Sequence, residues 1–146
     1  MINIKLNGLE NKITLLNEGC GKQGFIKIDE GYKNFGGTDL KHFKEGEKIN
    51  IVTLSDIAKR FNLNNKSILK IDCEGCEYDV LLKAKVSDLR KFEQIQLEYH
   101  YGYINLGNKL KKIGFNVAYG QPKHVYNKEA ENRELFIGLI KANRIK

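Results

Sequence analysis

Short apolar runs alternate with polar segments along the chain, and their spacing predicts the secondary structure. Alternating or continuous apolar runs of strand length indicate strands over residues 12–17, 25–29, 49–52, 68–71, 95–99, 115–119 and 135–141. Apolar positions at helical spacing predict helices over residues 53–61, 76–84, 87–92 and 104–113. Residues 2–9 are typical of the end of a helix that stops at Gly8.

The order of these elements indicates the fold class. From residue 66 onward the predicted order is strand, helix, strand, helix, strand, strand. This order predicts an α/β fold with a mostly parallel sheet flanked by helices. The polar stretch 120–133 suits a connection to an antiparallel closing strand, and the glycine-rich stretch 30–47 suits a loop or irregular hairpin. With 146 residues and no repeat or linker, the chain forms one domain, residues 1–146.

The segment around residues 68–82 contains the strongest candidate chemistry. An apolar strand over residues 68–71 is followed directly by Asp72, Glu74 and Glu77, and then by a helix. In open α/β sheets ligands bind at the carboxyl ends of the strands, so these acids predict a site. The alternative is a solvated helix start, where acids interact favourably with the helix dipole.

The same segment resembles a known family. Leu69-Lys-Ile-Asp-Cys-Glu-Gly-Cys-Glu-Tyr-Asp-Val-Leu-Leu82 is similar to the LKIDxEGxExxVL signature of FkbM-type methyltransferases, and weaker matches at residues 52–57 and 95–100 keep the family's order. The resemblance covers roughly residues 5–118. It implies a Rossmann-like class I fold, S-adenosylmethionine (SAM) as cofactor, and methyl transfer to a hydroxyl of a small molecule or glycan. It further implies that Asp72 and Glu74 face the cofactor and the acceptor.

The beginning of the chain departs from the family's pattern. If residues 12–17 match the family's third strand, the first two strands and their glycine loop are missing. The central strand would then have an open edge, which must be closed by residues 12–17, by the pair 25–29 and 49–52, or by a second chain. We therefore expect a homodimer or pairing with another chain. A catalytically incomplete methyltransferase-like subunit is the alternative function.

The glycine-rich stretch Asn17-Glu-Gly-Cys-Gly-Lys-Gln-Gly24 contains the spacing G-x-G-x-x-G of a dinucleotide-binding loop. That loop requires a following helix, whereas residues 25–28 alternate as in a strand, so a glycine-rich hairpin is favoured. The stretch also resembles the DxGCGxG cofactor loop of class I methyltransferases. As a dinucleotide-binding loop or as this cofactor loop, the stretch would place Asn17, Glu18, Gly19 and Gly21 beside SAM.

Cysteine and histidine residues offer further candidates. Cys73-x-x-Cys76 fits a redox dithiol, or a zinc set completed by Cys20 and a histidine, but two small buried thiols are the default. Glu98 and His100 are two residues apart and share a face if their strand continues. His100 is a candidate general base, and an equally good interpretation is a histidine that only ends the strand.

Composition narrows the class of protein. Hydrophobic residues make up 41% and charged residues 29% of the chain, as in soluble globular domains. No apolar run approaches the ~18 residues of a membrane span, and the chain does not begin like a signal peptide. Three cysteines fit reduced thiols in the cytoplasm. The net charge of +7 favours anionic partners, but the basic residues are dispersed, so nucleic acid is not expected as a partner.

Overall fold

The structure is a computed structural model that describes residues 2–28, 46–73, 75–126 and 134–145. In these ranges the helices are α1 (Ile2–Leu6), α2 (Leu54–Arg60), α3 (Glu77–Lys83), α4 (Val86–Leu89) and α5 (Ile104–Lys112). The strands are β1 (Gly19–Cys20), β2 (Gly24–Ile28), β3 (Glu47–Val52), β4 (Ser67–Ile71), β5 (Phe92–Tyr99), β6 (Phe115–Tyr119), β7 (Lys123–Tyr126) and β8 (Glu134–Arg144).

Within the described residues the strands form two sheets. The smaller sheet has the order β1-β3-β2, and the larger has the order β4-β5-β8-β6, with β7 paired to the first part of β8. The predicted α/β class is confirmed, but the prediction of a mostly parallel sheet is wrong. β1–β3 and β4–β5 are parallel, whereas β2–β3, β5–β8, β6–β8 and β7–β8 are antiparallel. The long strand β8 accounts for three of these four antiparallel pairs, because every strand paired with it runs in the opposite direction.

Helices with strong local signals form where the sequence places them. Thr53 caps α2 in a capping box, in which Asp56 accepts from the Thr53 backbone N–H and donates its own N–H to the Thr53 hydroxyl. Gly8 (φ +63°) follows α1, and Gly114 (φ +93°) follows α5, in the left-handed conformation that glycine adopts freely. The predicted ends of both helices are confirmed.

Four local predictions are wrong. Residues 13–17 form no strand, because no neighbouring strand is hydrogen-bonded to them. The helix predicted over 87–92 is the shorter α4, since Phe92 is buried and begins β5. The polar stretch 120–133 leads to the antiparallel strand β8, as predicted, but it is not only a connection, because part of it forms β7. β1 and β2 are joined by a turn but pair on opposite sides of β3, so they form no hairpin with each other. The predicted loop at residues 30–47 lies almost wholly outside the described residues.

The hydrophobic core lies between the larger sheet and its helices. Side chains that are almost fully buried come from β4, β5, β6, β8 and the helices α2 to α5. Apolar positions of β5 alternate toward this core, with Ile95, Leu97 and Tyr99 buried. The core therefore fixes β4, β5 and α3 relative to one another.

Strand β4 has one partner among the described residues. It pairs with β5 on one side, and neither β2 nor β3 pairs with its other side. The predicted open edge is present, and none of the chain's described strands closes it. Ile68, the second residue of this edge strand, has 65% of its surface exposed.

Candidate functional site

A cleft of about 780 Å³ lies between the open edge of β4 and the smaller sheet. Its walls are mostly apolar, with Ile26, Ile49 and Ile51 from the smaller sheet facing Leu69 and Val80 on the other side. The volume falls in the range of about 300–1,000 Å³ that small-molecule sites occupy. We refer to this space as the β4 cleft.

Polar groups are gathered at two places on the β4 cleft. Asn17, Glu18 and Gly19 line it on one side, and Asp72 lines it where β4 ends. Four of the predicted site residues are therefore brought to one cavity. Gly21 lies instead in a neighbouring polar depression of about 440 Å³, together with Lys22 and other lysines.

The residues on the glycine side are held by contacts with β3 and α2. Glu18 forms an ion pair with Arg60 of α2, which raises the pKa of the Arg60 guanidinium through hydrogen bonding and charge. A Cβ atom on Gly19 would lie 2.3 Å from Cδ1 of Ile51, so a glycine lets β1 approach β3 closely. A helix does not follow Gly24, because β2 begins there, so the geometry of a dinucleotide-binding loop is not formed.

Asp72 directly follows the last residue of β4. Its side chain is 44% exposed, and the Lys70 ammonium lies 3.9 Å from its Oδ2. A carboxylate in this position reaches both the cleft and solvent. Glu74 lies outside the described residues.

His100 is buried next to Glu77 and is not among the residues that line the β4 cleft. Its exposed fraction is 3%, and that of Glu77 is 0%. The Nδ1 atom of His100 lies 2.9 Å from Oε1 of Glu77, which also accepts the His100 backbone N–H at 3.0 Å. The other oxygen, Oε2, accepts the backbone N–H of Gly75 at 2.8 Å. Because a carboxylate oxygen only accepts, the imidazole supplies the proton on Nδ1.

Tyr78 makes a second connection between α3 and the end of β5. Its hydroxyl donates to the carbonyl of Gly102 at 2.6 Å and accepts the backbone N–H of Tyr101 at 2.8 Å. Burial is the main cause that raises the pKa of Tyr78 to about 12. Glu77 and Tyr78 together hold the turn after Asp72 against the chain that follows β5.

The cysteines differ from the predicted pair of buried thiols. Cys73 and Cys76 form a disulfide, and Cys20 is a free thiol. All three line the β4 cleft. Burial raises the pKa of Cys20, which keeps it protonated at neutral pH. No group of three potential metal ligands occurs within the described residues, so the zinc set is not formed there.

Sequence reasoning grouped Glu77 with Asp72 and Glu74, as acids of a site or of a solvated helix start, and missed its buried role. A signal was present in the spacing. Glu77, Val80 and Leu81 occupy positions i, i+3 and i+4, which share one face of a helix. All three are buried, so Glu77 lies on the apolar face of α3.

Comparison with known proteins gives one match. A family model described as the Methyltransferase FkbM domain matches residues 1–128. No curated protein and no solved structure matches the sequence significantly. In the described part of the chain, no helix has the length and apolar character needed to cross a membrane.

Proposed function

The chain belongs to the FkbM methyltransferase domain family, and from this premise we propose that it is a SAM-dependent methyltransferase that acts on a hydroxyl group of a small molecule or glycan. The observation that supports this most is the convergence of Asp72 and the Asn17–Gly19 segment on one cleft of about 780 Å³. The two groups are far apart in the sequence and adjoin different sheets, since Gly19 begins β1 and Asp72 follows β4.

The chemistry of the β4 cleft fits SAM. Its apolar walls suit the adenine ring and the methylene groups of the methionine part. The carboxylate of Glu18 lines the same cleft and suits the ribose hydroxyls of the cofactor, while the partly exposed carboxylate of Asp72 lies where an acceptor can reach it. Asn17 adds a side-chain amide that can both donate and accept hydrogen bonds.

In this mechanism the chain supplies binding, orientation and a place for a proton. SAM, when bound, supplies an electrophilic methyl group. The apolar walls formed by residues such as Ile51 and Val80 exclude water from the reacting atoms. Asp72 accepts the hydrogen bond of the acceptor hydroxyl and takes its proton as the oxygen is methylated. Glu77 and His100 act as positioning residues, because they hold the turn that follows Asp72 and do not line the cleft.

Calorimetry with S-adenosylhomocysteine tests cofactor binding, and we expect a dissociation constant in the micromolar range. Absence of heat at millimolar ligand would contradict the proposal. With an acceptor in hand, Asp72→Asn is expected to lower kcat by about 10²-fold or more, the range of a lost general base. Asp79→Asn is the matched control, since Asp79 is also partly exposed and paired with a lysine, Lys83. An equal effect of both variants would remove Asp72 from the mechanism.

The open edge of β4 favours a second function, assembly. As an alternative to a cofactor in the β4 cleft, whose wall is β4 itself, we propose that a second copy of the chain adds to this edge. An antiparallel pair of two β4 strands is symmetric, so a single surface serves both copies, as in most homodimers. The pairing would satisfy the backbone groups along β4 and cover the exposed side chain of Ile68. Light scattering tests this, with a mass of twice 16.8 kDa expected.

A further inference from the structure

The Cys73–Cys76 disulfide lies inside the segment that gives the chain its family signature. Cys73 follows Asp72, and Cys76 directly precedes α3, so the bond closes the turn between β4 and α3. Both cysteines are partly exposed and line the β4 cleft, through which a reductant can reach them. The bond therefore lies at the carboxylate end of the cleft.

This disulfide is poorly placed to stabilise the whole fold. Its two cysteines are three residues apart, and disulfides that close short loops reduce the entropy of the unfolded chain least. The adjoining core already fixes β4, β5 and α3 through buried apolar side chains. The effect of the bond is consequently local, on the turn that contains Gly75.

The turn is connected to Glu77 on its buried side. Gly75 has φ +113° and donates its N–H to Oε2 of Glu77 at 2.8 Å. The sulfur of Cys73 lies 3.6 Å from the same Oε2 atom. A disulfide sulfur has no proton, whereas a thiol in the same place donates a weak hydrogen bond to the carboxylate. Reduction would thus add a donor to a carboxylate that already binds Gly75 and His100.

We propose that Cys73 and Cys76 form a reversible dithiol–disulfide site that adjusts the Asp72 end of the β4 cleft through Glu77. The reductant is a dithiol. One of its thiolates attacks a sulfur of the disulfide, which breaks the S–S bond, forms a mixed disulfide and releases the other cysteine as a thiolate that takes up a proton. The second thiol of the reductant then displaces the remaining cysteine. Two electrons and two protons pass to the protein, and the reductant leaves as a disulfide.

The first test titrates the native chain in buffers of reduced and oxidised dithiothreitol. After an acid quench, free thiols are alkylated in denaturant and the intact mass is measured. The chain has three cysteines, and one of them, Cys20, lies outside the disulfide. We expect one adduct in oxidising buffers and three in reducing buffers, with a single transition between them. Three adducts at every ratio would overturn the proposal.

The second test asks whether the redox state reaches Glu77. NMR signals of the His100 imidazole, assigned with His100→Gln, are expected to shift along the same transition. The signals of His124, whose ring centroid lies 4.7 Å from that of Phe136, are expected not to shift. Unchanged His100 signals across a complete transition would show that the site is uncoupled from Glu77 and would also overturn the proposal.

Neither readout requires SAM, so failure of the redox proposal is distinguishable from failure of the proposed methyl transfer. A third measurement joins the two. If S-adenosylhomocysteine binds, its affinity is expected to change between the oxidised and reduced chain by about threefold or more. The variant Cys73→Ser/Cys76→Ser cannot form the bond, and its affinity is expected not to respond to dithiothreitol. An equal response of this variant would contradict control by the disulfide.

Discussion

Glu77 is a carboxylate with no exposed surface, and both of its oxygens accept hydrogen bonds. Its two oxygens receive the backbone N–H groups of Gly75 and His100 and the imidazole of His100. Buried charged groups are tolerated when they are hydrogen-bonded in this way. The residue thus joins the turn after β4 to the end of β5, and its removal should affect stability more than its position at a helix start suggests.

Replacing Glu77 by glutamine keeps the shape of the side chain but places an NH₂ group against a donor. We expect Glu77→Gln to lower the free energy of unfolding by about 2–4 kcal/mol, since a buried hydrogen-bonded pair is broken. Urea denaturation measures this. Glu93→Gln on the exposed face of β5 is the control, with an expected change within about 0.5 kcal/mol. Similar stabilities of both variants would mean that the buried carboxylate is dispensable.

Tyr78 and Tyr99 differ in the hydrogen bonds of their hydroxyls, so replacement by phenylalanine should change stability in different ways. The Tyr78 hydroxyl has a donor and an acceptor partner, whereas the buried hydroxyl of Tyr99 has no hydrogen-bond partner within the described structure. Tyr78→Phe removes both of these hydrogen bonds and should cost about 1–3 kcal/mol of unfolding free energy. Tyr99→Phe removes an unsatisfied hydroxyl and should leave stability unchanged or raise it. Thermal or urea unfolding of the two variants decides the matter.

The pH dependence gives an independent check on Tyr78. Its pKa is raised to about 12 in the folded chain, from an ordinary value of 10. The folded state therefore holds the phenol proton more tightly, so its contribution is complete below pH 10 and is lost as the pH rises toward 12. Stability of the native chain should fall over this interval, and the fall should be smaller in Tyr78→Phe. An identical fall in both would assign the loss to other groups.

At the scale of elements, the sequence correctly predicted the helices whose ends are stabilised by neighbouring residues. The capping residues of α2 and the glycine after α5 are adjacent in sequence to the helices they end, so the helices were found. Strands β4 and β5 were found because their apolar runs face a core on at least one side. These elements place Asp72, which is why the predicted end of β4 lies at a cavity.

Elements that depend on a distant partner were predicted poorly. β7 has the polar sequence Lys-His-Val-Tyr and forms a strand because β8 provides a hydrogen-bonding edge. Residues 13–17 have the apolar pattern of a strand, but no edge is supplied to them. The environment of His100 was also not predicted, because its buried partner Glu77 is 23 residues away in the sequence.

At the scale of the whole molecule, the two sheets leave the edge of β4 unpaired, and this edge predicts self-association. Ile68 and Ile104 are the same residue type with almost equal exposure, 65% and 66%, but Ile68 lies on β4 and Ile104 begins α5. Lysine on an edge strand opposes pairing by placing a charge where another strand would pack, and Ile68→Lys puts a second lysine two residues from Lys70 on the same face of β4. We expect light scattering to give twice 16.8 kDa for the native chain and for Ile104→Lys, and 16.8 kDa for Ile68→Lys.

Both variants add one charge to a chain of net charge +7, so general repulsion affects them equally. If the native chain has the mass of one copy at every concentration, the edge is not an interface between copies. If both variants dissociate alike, charge and not the β4 edge governs assembly.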